Sequence, residues 1–152
     1  MVRSLTVLLF LLCAAGSVSP ARSASAKLMK VLPQFLDREG RHAVSPSLYD
    51  RDAYQARLRR HPEECSGIRF AIEWKGPKAA PFSLRVELRG AHGQLPTTAT
   101  LQQSVGRRGL FSAWSSLSLA GDDYKNFGEL IAWRATLWDG PRQVAEQKSF
   151  LW

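Results

Sequence analysis

In Ile68-Arg69-Phe70-Ala71-Ile72-Glu73-Trp74-Lys75, the large apolar residues Ile68, Phe70, Ile72 and Trp74 alternate with Arg69, Glu73 and Lys75. An extended chain turns successive side chains to opposite faces, so a period of two puts the apolar set on one side and the charges on the other. This is a half-buried strand. After the breakers Gly76 to Pro81 the pattern returns, with Phe82, Leu84, Val86 and Leu88 inward and Arg85, Glu87 and Arg89 outward. Six connecting residues cannot carry the crossover that parallel pairing needs. The two strands are therefore expected as antiparallel neighbours or as partners facing each other across a core.

The same reading extends downstream. Thr97 to Val105 and Leu110 to Leu119 form the next two predicted strands, separated by Gly106-Arg107-Arg108-Gly109. Gly121-Asp122-Asp123 opens a turn, and Tyr124 to Leu130 is predicted as one helical turn passing from one sheet to the other. Ile131 to Trp138 reads as strand, with Ile131, Trp133, Ala135 and Leu137 on one face and Ala132, Arg134, Thr136 and Trp138 on the other. Asp139 to Arg142 suits a hairpin loop, and Val144 to Trp152 supplies a last strand.

Upstream, residues 27–66 mix charges of both signs with a short, broken apolar pattern and are read as an N-terminal arm. One helix is predicted at about 48–61: Ser47 is its N-cap, Asp50 stands three residues on, and Pro62 ends it because proline lacks an amide donor. Leu48, Ala53 or Tyr54, and Leu58 give it a narrow apolar stripe for packing on the side of something larger. Arg41 to Val44 is a candidate short first strand. The expected fold is mainly β, an immunoglobulin-like antiparallel β-sandwich of six or seven strands over residues 67–152 with a short N-terminal helix; a small barrel is the alternative.

The 152 residues, 45% of them hydrophobic, suit one ordinary domain and exclude a multidomain enzyme. The opening 26 residues stand apart. Arg3 precedes the apolar run Leu5 to Ala15, and Ala24-Ser25-Ala26 has the small-x-small form of a cleavage site, so a signal peptide over residues 1–26 is predicted, cut after Ala26. Its 11 apolar residues fall short of the roughly 20 that a bilayer span takes, so no stable span is expected after cleavage. The expected location is secreted or periplasmic. Losing Arg3 and Arg22 leaves 19 basic against 13 acidic residues, a net +6, and leaves Cys65 as the single cysteine. An internal disulfide is then impossible, and Cys65 is a candidate for joining two chains.

Three stretches carry a resemblance: Ser45-Pro-Ser-Leu-Tyr-Asp-Arg-Asp-Ala-Tyr-Gln-Ala-Arg-Leu-Arg-Arg-His-Pro62, Ile131-Ala-Trp-Arg-Ala-Thr-Leu-Trp-Asp-Gly140 and Lys148-Ser-Phe-Leu-Trp152. They resemble small exported bacterial proteins of no assigned function. The resemblance implies export and a sandwich of immunoglobulin or fibronectin type III character, and it brings no catalytic residue with it. The Cys...Trp...Cys pattern of antibody domains is absent.

Signatures of catalysis are missing. His42, His61 and His92 are 19 and 31 residues apart and form no pair with metal-ligand spacing, no Gly-x-Ser-x-Gly occurs, and Glu64 and Ser66 flank Cys65 where an activating base would stand. The acid pairs Glu63-Glu64 and Asp122-Asp123 suit solvated turns. No catalytic residue, metal or cofactor is expected, and no nucleic-acid-binding motif is present. The candidate binding residues are Arg57 and Arg60, in the helix's last turn where cations also oppose its dipole; Arg107 and Arg108, between glycines at a loop tip; and the aromatics Trp114, Trp138 and Trp152, while Trp74 and Trp133 are expected in the core. The expected function is a non-catalytic exported module binding an envelope or extracellular component, either another envelope protein or an anionic polysaccharide. An assembly module pairing through an edge strand along Val144 to Trp152 is the alternative. A small hydrolase, with acids or histidines gathered only by folding, is the third.

Overall fold

A computed structural model describes residues 26–77, 81–106 and 112–152. The elements are β1 (Lys27–Leu36), α1 (Leu48–Arg60), a 3-10 turn (Pro62–Glu64), β2 (Gly67–Lys75), β3 (Phe82–His92), β4 (Leu95–Val105), β5 (Ala113–Ala120), α2 (Gly121–Phe127), β6 (Glu129–Asp139) and β7 (Arg142–Lys148). Every pairing is antiparallel. The order is β1-β2-β5 in one sheet and β4-β3-β6-β7 in the other.

The two alternating stretches make the core between these sheets. Ile68, Phe70, Ile72 and Trp74 of β2 are wholly buried, and Phe82, Leu84, Val86 and Leu88 of β3 meet them from the opposite sheet. Of the two arrangements expected for β2 and β3, the facing one is found. Trp74 packs edge-on to Phe82 with ring centroids 5.8 Å apart, and its indole N–H donates to Ser115 Oγ at 3.0 Å. Phe70 meets Trp133 in the same edge-on manner at 6.2 Å. Burial of such a side chain contributes about 1.5–3 kcal/mol, so these two strands dominate the apolar stabilisation.

Three expectations are corrected. Residues 27–66 are not wholly an arm beside the sandwich: β1 lies within them and forms an edge of the three-stranded sheet, pairing from Lys27↔Lys75 to Leu36↔Gly67. A register shift at Met29 and the donorless Pro33 interrupt its alternation, features that an edge strand tolerates. Arg41 to Val44 is not a strand, and the count of seven is reached through β1. In β6 the pairing with β3 slips between Arg89 and Gly90, so Ile131 turns outward and is 50% exposed while Leu130 packs on the core.

Helix α1 starts as its sequence dictates, with Ser47 Oγ accepting the Asp50 amide at 3.4 Å, and it stops before Pro62. Its buried residues are Leu58 and, against expectation, Gln55, whereas Leu48 is exposed. The Gln55 amide accepts the Phe35 N–H at 2.8 Å and donates to the Phe35 carbonyl at 2.9 Å and the His42 carbonyl at 2.8 Å. Gln55 thus stands where a further strand would pair with β1, which closes part of that edge.

Candidate functional site

The outer face of the four-stranded sheet follows from the same alternation. Apolar residues of β3 turn inward, which leaves Arg85, Glu87 and Arg89 outside, beside Gln102, Thr100 and Thr98 of β4 and Thr136, Arg134 and Ala132 of β6. Two tryptophans lie among these arginines. The Arg85 guanidinium lies 5.0 Å from the centre of the Trp138 ring; Arg89 and Arg134 lie 4.0 and 4.8 Å from that of Trp152. Trp138 is fixed by its indole N–H, which donates to the hydroxyl of buried Thr136 at 2.8 Å. Arg134 is held by Glu87 at 2.7 Å, with Glu146 4.0 Å away.

Arg85 stands apart from the other two. Its Nε–H is buried and has no hydrogen-bond partner among the described residues. An orphaned donor loses about 1–3 kcal/mol of solvation, and a guanidinium already stacked on an indole presents its remaining N–H groups in one plane. This geometry suits a planar or tetrahedral oxyanion, which accepts two parallel bonds from an Arg fork. The indoles add flat apolar surface of the kind that packs on sugar rings.

The structure distributes the residues singled out from sequence over separate places. Trp138 belongs to this face and is outward, as expected. Trp114 is 54% exposed on the outer face of the other sheet, beside Glu73, so the two are not brought together. Arg107 and Arg108 lie outside the described residues. Arg57 is paired with Glu64 at 2.8 Å, and Arg60 donates to the Ala56 carbonyl at 3.2 Å; both sit at the α1 C-terminus, opposing its dipole. Sequence reasoning missed Arg85, Arg89 and Arg134, which looked like a solvated strand face. The available signal was Arg134's place on the Trp138 face of its own strand; Arg85 and Arg89 reach that face only through the pairing of β3 with β6.

Two other clusters bear on chemistry. A cleft of about 670 Å³ is lined by Phe35, Leu58, Cys65, Tyr124 and Leu130. Burial pushes the Cys65 thiol up despite the adjacent Tyr124 hydroxyl, and burial with the neighbouring thiol pushes Tyr124 up to about 12. Cys65 Sγ donates to the Leu58 carbonyl at 3.4 Å. The thiol is thus protonated, and a disulfide-joined dimer gains no support from its setting. His61, Glu63 and Glu64 bring three ligand-type atoms within 4.8 Å of one another, a grouping that the search for paired histidines passed over. Arg57 already neutralises Glu64 there, and the His61 ring lies 3.1 Å from Glu63.

No helix among the described residues is long and apolar enough to cross a membrane. No family model matches the chain, and neither a curated protein nor a solved structure matches it.

Proposed function

We propose that the protein is an exported, non-catalytic β-sandwich module that binds an anionic polysaccharide of the envelope or extracellular space through the outer face of its four-stranded sheet. The buried, unpartnered Nε–H of Arg85, stacked on Trp138, carries this reading. Among the described residues no acceptor meets that N–H, so the stacked guanidinium is held with its terminal N–H groups left for a partner, next to an aromatic surface suited to a sugar ring. The signal-like first 26 residues support export. The strand orders β1-β2-β5 and β4-β3-β6-β7 support immunoglobulin or fibronectin type III character: taken in sequence as A to G, strands A, B and E share one sheet and C, F and G the other, with the fourth strand beside C, whereas the constant-type immunoglobulin pattern places it with A, B and E. For the edge-pairing alternative, β7 (Arg142–Lys148) is the end strand of its sheet, but the residues after it turn back over the sheet and do not prolong that edge to Trp152.

The test is retention on calcium alginate beads and on neutral dextran beads at low and high salt. Among the described residues the buried hydrophobic residues run from Leu28 to Leu137, so the chain from Lys27 carries them and is the form to use. Retention on alginate that partly survives high salt is expected, with loss in Trp138→Ala and Arg85→Ala and incomplete rescue in Arg85→Lys, which keeps the charge without the planar fork. Retention by Trp138→Ala equal to the parent, or retention abolished by salt, would leave only diffuse positive charge and sink the reading.

A further inference from the structure

We propose that the turn Ser149 to Trp152 docks the protein on a phospholipid surface bearing anionic headgroups. The turn is pinned at both ends. The Ser149 amide donates to the Trp133 carbonyl at 2.9 Å, the Trp133 amide donates to Ser149 Oγ at 3.0 Å, and the Trp152 amide donates to the Ser149 carbonyl at 3.2 Å. The Trp152 ring is then held against Arg89 and Arg134. Between these anchors Phe150 is 101% exposed and Leu151 66% exposed. Ile131, two residues before the Trp133 that holds Ser149, is turned outward by the β6 bulge.

A lone exposed leucine is ordinary, but adjacent large apolar side chains on an anchored turn form a patch that water solvates poorly. Its surroundings identify the partner. Lys148 precedes the turn and Arg89 lies under Trp152; no carboxylate among the described residues pairs with either, whereas Arg134 is neutralised by Glu87 and approached by Glu146. An apolar tip beside cations combines shallow apolar insertion, marginal by itself, with the attraction of anionic headgroups for each nearby Lys or Arg.

The docking turn and the Arg85–Trp138 pair that carries the proposed sugar site lie at opposite ends of one sheet face, to which Arg89, Arg134 and Trp152 also belong. Trp138 pairs with Ser83 at the start of β3, whereas Arg89 and the Ser149 turn lie toward its other end, so each site can be altered alone.

The test is co-sedimentation of the chain from Lys27 with vesicles of phosphatidylcholine alone and of phosphatidylcholine with phosphatidylglycerol. Binding to the mixed vesicles is expected to exceed binding to the neutral ones. The double variant Phe150→Asp/Leu151→Asp should lose about tenfold or more of that binding. Lys148→Glu should weaken it and flatten its salt dependence, and Phe150→Trp should retain it. Both tip residues lie outside the core, so an unchanged thermal midpoint should accompany these losses. Undiminished binding of the Asp variant, or no preference of the parent chain for mixed vesicles, overturns the proposal. Arg85→Ala should bind vesicles as the parent does, and the Asp variant should bind alginate as the parent does, so failure of either reading is distinguishable from failure of the other.

Discussion

Asp37 shows how much one side chain can organise. Its Oδ1 accepts the amides of Glu39 and Arg41 at 2.9 and 2.8 Å, and its Oδ2 accepts Arg41 Nε at 2.8 Å and the Tyr54 hydroxyl at 2.6 Å. Burial by itself raises a carboxyl's pKa, but the bonds from Tyr54 and Arg41 outweigh it and hold Asp37 down to about 2. Because the folded value lies below the unfolded one, near 3.8, its stabilisation is fully present above that pH and is lost as pH falls toward 2. The difference corresponds to about 2 kcal/mol. Urea midpoints of the parent chain and of Asp37→Asn should therefore differ most above pH 5 and converge near pH 2; a constant gap would show that the carboxylate charge is not what matters. None of this was legible in the sequence, where Asp37 is one acid in a mixed-charge stretch and Tyr54 lies on a helix beyond a loop.

Among the elements, legibility tracked regular alternation. β2 and β3 could be read directly because nothing interrupts their period, and α1 because Ser47 and Pro62 bracket it. β1 was hidden by Met29 and Pro33, and the outer half of β6 was misassigned because one bulge residue inverts the faces beyond it. The docking of α1 was only partly legible for another reason: of the apolar stripe Leu58 is buried, but the contact with β1 rests on the amide of Gln55. Gln55→Ala leaves the Phe35 N–H and the Phe35 and His42 carbonyls without partners and should cost about 1–3 kcal/mol, with faster hydrogen exchange at the Phe35 amide. Gln55→Glu keeps the acceptor but loses both donated bonds, and should be nearly as damaging. The exit from α2 makes a comparable demand on Gly128, whose φ is +79° and whose added Cβ would meet the Ala91 carbonyl. Gly128→Ala should lower the thermal midpoint by several degrees while leaving alginate retention of the folded fraction unchanged.

For the molecule as a unit, the domain boundary is the sharpest test. A chain beginning at Gly67, the start suggested by hydrophobic pattern alone, lacks β1 and leaves Leu28, Val31 and Phe35 missing from the core and β2 as an open edge. It should show no cooperative thermal transition by near-ultraviolet circular dichroism, whereas the chain from Lys27 should show one; a folded shorter chain would reduce β1 to an accessory. The candidate face was half legible at this level. Trp138 could be placed outward from its strand, but that Arg85 would lie on it depended on which strands become neighbours, and pairing between distant segments leaves no local mark.

The two sheets differ in how their strands are joined. β3–β4 and β6–β7 are hairpins closed by short turns, whereas β1 reaches β2 only across residues 37–66, and β2 reaches β5 only across residues 76–112. A chain appearing amino end first therefore presents Ile68, Phe70, Ile72 and Trp74 before Phe82 to Leu88 follow to cover them, and before β5 exists to pair with β2. Loop-closure entropy delays the three-stranded sheet further, while the hairpins can form as soon as they emerge. The order of synthesis thus leaves β2 without β5, its second partner, until the whole β3–β4 hairpin of the opposite sheet has emerged.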